Sequence, residues 1–225
     1  MKILLKNPLK NKNKENRPLG ERDYYNLTEK ELDILREAGN IGAGNAMTAL
    51  GKLVGRTLDM SVTEVHIEKI QELGGVLGDP EQYIAGMLIN VYGDLNAMLL
   101  LALESESATK LVNLILNKNI VSVEEFDELD ISVLCETGNI LAGSYVNALN
   151  TLTGLKLDVS IPQMSIDMAG AILSYPAIEF ARNDNTMLFI ETKFAEVTGI
   201  LKGTYIIILD NASFSNIVNV LGDWI

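Results

Sequence analysis

Two pairs of side chains in this 225-residue chain have types and spacing suited to chemistry: Glu37 with Asn40, and Glu136 with Asn139. Each is a Glu-x-x-Asn step, preceded four residues earlier by Asp33 in one case and Ser132 in the other. An asparagine amide does not titrate, so it is no general base. It can donate to and accept from a water molecule and hold that water in line with a phosphorus atom. Orientation of this kind is a large term in phosphoryl transfer. The rest of such a site would have to arrive on a partner.

Composition removes most other chemistries. The one histidine, His66, cannot join a histidine cluster and reads as an ordinary strand side chain, and the one cysteine, Cys135, cannot form a disulfide or a Cys-based metal site within the chain. A zinc hydrolase and the Ser-His-Asp and Cys-His constellations are disfavoured, because a single histidine would have to serve both halves. A net charge of -12 and a pI near 4.5 argue against nucleic acid as a partner. The longest unbroken apolar run, Ala97 to Leu103, is the size of a strand and far short of the ~18 residues that span a bilayer. No membrane insertion and a reducing, cytoplasmic setting are expected. Residues 1–22 form a basic, Asn-rich stretch whose apolar core, Ile3 to Leu5, is too short for a signal peptide, and they are expected to be a disordered tail.

The elements that carry the two pairs are copies of one unit. Residues 37–61 align without a gap to residues 136–160 at an offset of 99, with 13 of 25 positions identical. Residues 23–225 are therefore expected to form one domain built from two repeats, about 27–119 and 121–225. Each repeat opens with helix-start chemistry: Thr28 with Glu31 as a capping box and Leu27 with Leu32 as staple, then Ser122 with Glu125 and Val121 with Phe126. Gly55 and Gly154 are placed as C-terminal caps, giving helices of about 26 to 31 residues by these signals. At 100° per residue, Asp33, Glu37 and Asn40 fall within about 60° of one another, as do Ser132, Glu136 and Asn139. Leu35, Ala38, Ala46, Ala49 and Leu53 lie opposite, where a sheet would pack.

After each long helix come an alternating segment, a hairpin and a shorter helix. The first hairpin turns near Gly93 and Asp94 and the second between Ala195 and Gly203; the shorter helices fall near Ser105 to Leu116 and Ser213 to Leu221. The expected class is α+β: a pseudo-twofold duplicated α-β-β-β-α unit with two long equivalent helices packed on antiparallel sheet.

Glycines interrupt both long helices, Gly39, Gly42 and Gly44 in one and Gly138 and Gly143 in the other, each at a cost of about 1 kcal/mol relative to alanine. Close packing on the sheet and close approach of a partner's backbone both account for them. The phrase GNIGAGNA does not complete a phosphate-binding G-x-G-x-x-G and lies within a helix rather than after a strand.

The pattern Asp/Ser-x-x-x-Glu-x-x-Asn, followed after about 22 residues by a proline, resembles the signature of the CheC-type phosphatases of bacterial chemotaxis. It occurs twice. Ser132, Glu136, Asn139 and Pro162 match it fully; Asp33, Glu37 and Asn40 match it with Thr63 where the proline belongs. The resemblance extends from Leu27 to the C-terminus. It implies hydrolysis of the aspartyl phosphate on a CheY-like response regulator. Asn40 and Asn139 would then orient the attacking water, and Glu37 and Glu136 would dock the regulator's active-site lysine. It implies no cofactor on this chain, with Mg2+ carried by the regulator, and a CheD-like deamidase as a further partner. The rival reading is a non-catalytic binding module of the same fold, flagellar-switch-like or CheD-docking. In a third reading the pairs merely cap or pack, and burial of Glu37 and Asn40 would favour it.

Overall fold

The computed structural model describes residues 27–61, 63–69, 75–180, 186–196 and 201–222; the expected basic tail lies outside them. The first long helix, α1 (Glu29–Val54), starts and stops as its sequence dictates. Thr28 Oγ1 accepts from the Glu31 N–H, the Glu31 carboxylate accepts from the Thr28 N–H, and Gly55 closes the helix in the left-handed conformation with φ 65°. The second, α3 (Glu128–Thr153), is also 26 residues long and ends at Gly154 with φ 70°.

The start of α3 corrects the expected cap. Ser122 caps only a 3-10 turn, Val123–Glu125, and Val121 is 84% exposed, so no staple forms there. Phe126 then takes an extended conformation, and the helix begins after Asp127. Asp127 accepts from the N–H groups of both Leu129 and Asp130, while Asp130 accepts from the Asp127 N–H. The Lys118 ammonium donates to both carboxylates, at 2.9 and 2.6 Å. A charged carboxylate held this way makes a stronger cap than the Ser122 hydroxyl.

The alternating segments each break into two short strands, β1 (Leu58–Met60) with β2 (Glu64–Lys69), and β5 (Leu157–Val159) with β6 (Gln163–Met168). The hairpins are β3 (Tyr83–Gly93) with β4 (Ala97–Glu104), and β7 (Thr186–Glu196) with β8 (Lys202–Leu209). All join one antiparallel sheet in the order β1-β7-β8-β4-β3-β5, with β2 also on β7 and β6 also on β3. The two hairpins meet at β4 and β8. The repeats are therefore interleaved: β1 and β2 of the first copy pair with β7 of the second, and β5 and β6 of the second pair with β3 of the first.

The helices α1 and α3, with the shorter α2 (Ser105–Leu116) and α5 (Asn211–Gly222), cover one face of this sheet through a large apolar core. The opposite face carries α4 (Ala169–Phe180), packed through Ile172, Leu173 and Phe180 on Phe189, Ile206 and Leu100. The repeat gave no signal for α4, which contains Pro176, a residue that ordinarily ends a helix. Its apolar face against the sheet outweighs the one lost hydrogen bond.

Candidate functional site

On α1 the apolar positions Leu35, Ala38 and Ala46 face the core and the polar set faces out, as the helical period requires; Leu53, in the last turn, is exposed rather than packed. Glu37 is exposed and Asn40 half-buried; Glu136 and Asn139 on α3 are both exposed. Neither pair is covered by the sheet or by the other copy. The first member of each triad is engaged locally. Asp33 pairs with Arg36 at 2.8 Å, and the Ser132 hydroxyl donates to the Glu128 carbonyl at 2.7 Å.

Beside Asn40 runs the loop between β1 and β2, and the loop between β5 and β6 is its counterpart in the second copy. Ser61 anchors one loop to β7: its N–H donates to the Lys193 carbonyl, and its Oγ accepts from the Lys193 N–H. Ser160 anchors the other loop to β3 in the same way, donating to the Asn90 carbonyl and accepting from the Asn90 N–H. These serines were identical in the repeat alignment, so a signal for them was present in the sequence. Two residues farther on the loops differ. The Thr63 N–H donates to Asn40 Oδ1 at 3.1 Å, and the Thr63 hydroxyl shares a 2.7 Å hydrogen bond with Thr192. Pro162 has no N–H to donate, and the Asn139 amide makes no hydrogen bond among the described residues.

The glycines divide by cause. A Cβ on Gly39 would lie 2.6 Å from side-chain carbons of Ile190 and Thr63, and one on Gly42 would lie 2.6 Å from the Tyr145 ring. Gly138 faces Met87 with more room, 3.3 Å. These three are packing glycines. Gly44 and Gly143 are not: a Cβ would meet only the Met60 sulfur, at 3.9 Å, in the first case and nothing within 4 Å in the second. Both stand four residues after an asparagine, on the outward face.

His66 lies on the opposite side of the sheet from α1. Its Nε2 is 3.1 Å from Glu191 and 3.4 Å from Glu64, and the Lys193 ammonium is 3.3 Å from the other Glu191 oxygen. The His66–Glu191 contact is close enough for an ion pair but poorly angled for a hydrogen bond. Pairing with Glu191 raises the imidazole above its ordinary value against the opposing effect of burial, with Glu64 and Glu68 adding to the rise. Burial pushes the Glu191 carboxyl up, and His66 and Lys193 together pull it below its ordinary value. Among the described residues, Glu64, His66 and Glu191 are also the one group with metal-ligand spacing, their ligand atoms lying within 4.8 Å of one another. His66 is thus part of a charged cluster, not the ordinary strand residue expected. Cys135, next to Glu136, is half-buried, and burial pushes its thiol up.

The CheC-like family profile matches residues 31–65 and 129–166, the segments that hold both pairs and both loops. The chain is 30% identical over 203 residues to the CheY-P phosphatase CheC of Bacillus subtilis, covering 88% of this chain and 97% of that protein. The chain belongs to the CheC-like family. Another CheC-like relative, the flagellar motor switch phosphatase FliY of B. subtilis, is 26% identical over 62% of this chain and 36% of its own length. The fold matches the crystal structure of Thermotoga maritima FliY with a TM-score of 0.70 at 21% identity, covering 88% of this chain and 98% of that one. It also matches the FliM middle domain of H. pylori, with a TM-score of 0.60 at 10% identity, covering 86% and 99%. No helix among the described residues is long and apolar enough to cross a membrane.

Proposed function

We propose that this protein is a phosphatase that hydrolyses the aspartyl phosphate of a CheY-like response regulator, with Glu37 and Asn40 forming one site and Glu136 and Asn139 the other. The observation that carries the reading is the outward placement of both pairs on equivalent faces of α1 and α3, without a covering element. Glu37, Glu136 and Asn139 are exposed and have little to contribute to stability, yet the Glu-Asn step stands in both copies.

The chemistry follows from the two side chains. The carboxamide oxygen accepts a hydrogen bond from one water molecule and so turns a lone pair of that water along the axis of in-line attack on phosphorus. The carboxylate accepts from a lysine ammonium on the regulator and fixes the register of docking. Mg2+ on the regulator neutralises the phosphoryl oxygens; this chain supplies position. Gly44 and Gly143 support a closely approaching partner, since each leaves the face one turn beyond the asparagine free of side chain.

Because the fold is shared with the FliM middle domain, fold alone does not separate catalysis from binding. The separating experiment follows phosphate release from phosphorylated CheY in Mg2+. The Asn40→Ala/Asn139→Ala double variant is expected to lose nearly all acceleration while keeping its circular dichroism and a cooperative melt, with a melting temperature lowered only by the loss of the Thr63–Asn40 hydrogen bond. Unchanged acceleration would remove Asn40 and Asn139 from the site, and no acceleration by the unaltered protein would sink the phosphatase reading. Binding of phosphorylated CheY by the unaltered protein, with no faster decay of its phosphate, would establish the binding module instead.

A further inference from the structure

We propose that the two sites are unequal, and that Thr63 is the positioning residue that restrains the first. The proposal rests on the phosphatase reading above. Its physical basis is a single hydrogen bond. The carboxamide oxygen of Asn40, the atom that would accept the water's hydrogen bond, already accepts the Thr63 N–H at 3.1 Å. Thr63 is itself held from behind. It is 1% exposed, its hydroxyl is bonded to Thr192 at 2.7 Å, and its loop is fixed to β7 through Ser61. The oxygen has a second lone pair, but the bond fixes the direction of the carboxamide, and to turn out towards a regulator Asn40 must give it up.

The second copy supplies an internal control. Ser160 fixes its loop to β3 by the same two hydrogen bonds that Ser61 makes to β7, so the loop frames correspond. At the position of Thr63 stands Pro162, whose nitrogen carries no hydrogen. Asn139 is accordingly unclaimed among the described residues and exposed, where Asn40 is half-buried. Proline in this loop therefore does more than shape the chain: it removes the one backbone donor that would compete for the asparagine. A neutral hydrogen bond of this kind corresponds to roughly a 2- to 10-fold effect on the population of the released side chain.

The test isolates each site in the full chain. In an Asn139→Ala background, Thr63→Pro is expected to raise kcat for CheY-phosphate hydrolysis by about 2- to 10-fold. KM should not change, because Glu37 is untouched. Thr63→Val, which keeps the N–H and loses only the hydroxyl, should give no such gain. In an Asn40→Ala background, Pro162→Thr is expected to lower kcat by a similar factor, and this arm decides the matter if Thr63→Pro fails to fold. A fall in kcat with Thr63→Pro in a folded protein would overturn the proposal, making the bond a support rather than a restraint. Equal rates for Thr63→Pro and Thr63→Val, or an unchanged rate for Pro162→Thr, would also overturn it. Hydrogen exchange reads the bond without any activity: the Thr63 amide should exchange at least several-fold faster in Asn40→Ala. Unchanged exchange removes the restraint whatever the enzyme does, whereas no acceleration by the unaltered protein removes the phosphatase reading and leaves the exchange result standing.

Discussion

The first and second copies of the repeat place the same two side chains on the same helical face, yet the ground beneath them is of opposite character. Under Asn40 runs a polar thread: the Thr63 N–H, the Thr63 hydroxyl, and Thr192 on the crossing strand. Under Asn139 the corresponding positions are Pro162 and Ile89, which offer no side-chain or imide hydrogen. The surroundings differ in the same sense. Arg36 and Asp33 form an ion pair beside Glu37, where the second copy has Cys135 and Ser132. Leu129, two turns before Glu136, is 54% exposed and Ile161 beside Pro162 is 84% exposed, whereas Lys30 occupies the position equivalent to Leu129. The first copy engages its asparagine internally. The second leaves Asn139, and an apolar rim, for something else to meet, which is the arrangement a docking surface needs.

The largest expected consequence is unequal loss on removing the asparagines singly. If the first site runs about 2- to 10-fold slower than the second, Asn139→Ala should leave roughly a tenth to a third of the rate. Asn40→Ala should leave more than about two thirds. Phosphate release from CheY under multiple turnover measures both. Equal losses would break the comparison at its centre, and a greater loss for Asn40→Ala would reverse it.

The packing beneath the two sites should differ as well. Gly39→Ala drives a methyl group to 2.6 Å from Ile190 and Thr63, both β-branched and held in the core, so something must shift. A destabilisation of about 1–3 kcal/mol is expected, as for other overpacked positions. Gly138→Ala meets the Cβ of Met87 at 3.3 Å, which a shift of a few tenths of an ångström between helix and strand relieves. There the gain in helix propensity, up to about 1 kcal/mol, offsets the contact and leaves stability nearly unchanged. Urea unfolding of the two variants separates these outcomes, and similar losses in both would show that the copies pack alike.

Much of this fold was legible because local signals and the repeat agreed. Thr28, Glu31, Gly55 and Gly154 act on their own helix ends, and the sequence pattern of a cap survives any tertiary context. The outward face of Glu37 and Asn40 follows from helical period alone. What could not be read depends on contacts between distant residues. The exchange of β1 and β2 onto β7 is a choice among strand pairings that alternation does not distinguish. The α4 helix was hidden by Pro176 and by the absence of a counterpart in the alignment. The true start of α3 was hidden because Ser122 and Asp127 both present capping chemistry five residues apart, and the Lys118 clamp on Asp127 and Asp130 is visible only in three dimensions. Thr63 was readable as a departure from the signature. Its meaning was not, since that lies in a backbone N–H whose direction no side-chain pattern records.

The smallest expected difference is a titration that belongs to one copy alone. Glu64, His66 and Glu191 cluster on β2 and β7, where the second copy places Gln163, Ser165 and Leu88 on β6 and β3. In the folded protein His66 titrates above 6.5, so its contribution to stability is complete below that value and is lost as pH rises through the raised one. Glu191 titrates below 4.5, so its contribution is complete above that value and is lost as pH falls through the lowered one. The pair therefore stabilises most between those two unperturbed values and weakens on either side. With His66 partly solvated the effect should stay below about 1 kcal/mol. Unfolding free energies of the wild type and His66→Gln, compared from pH 5 to pH 9, should differ most near the acid end of that range and converge as the imidazole loses its proton. A difference that stays constant across the range would mean that His66 acts through packing rather than charge. One that grows with pH would mean that the cluster holds a neutral imidazole, as a bound cation at Glu64, His66 and Glu191 would require.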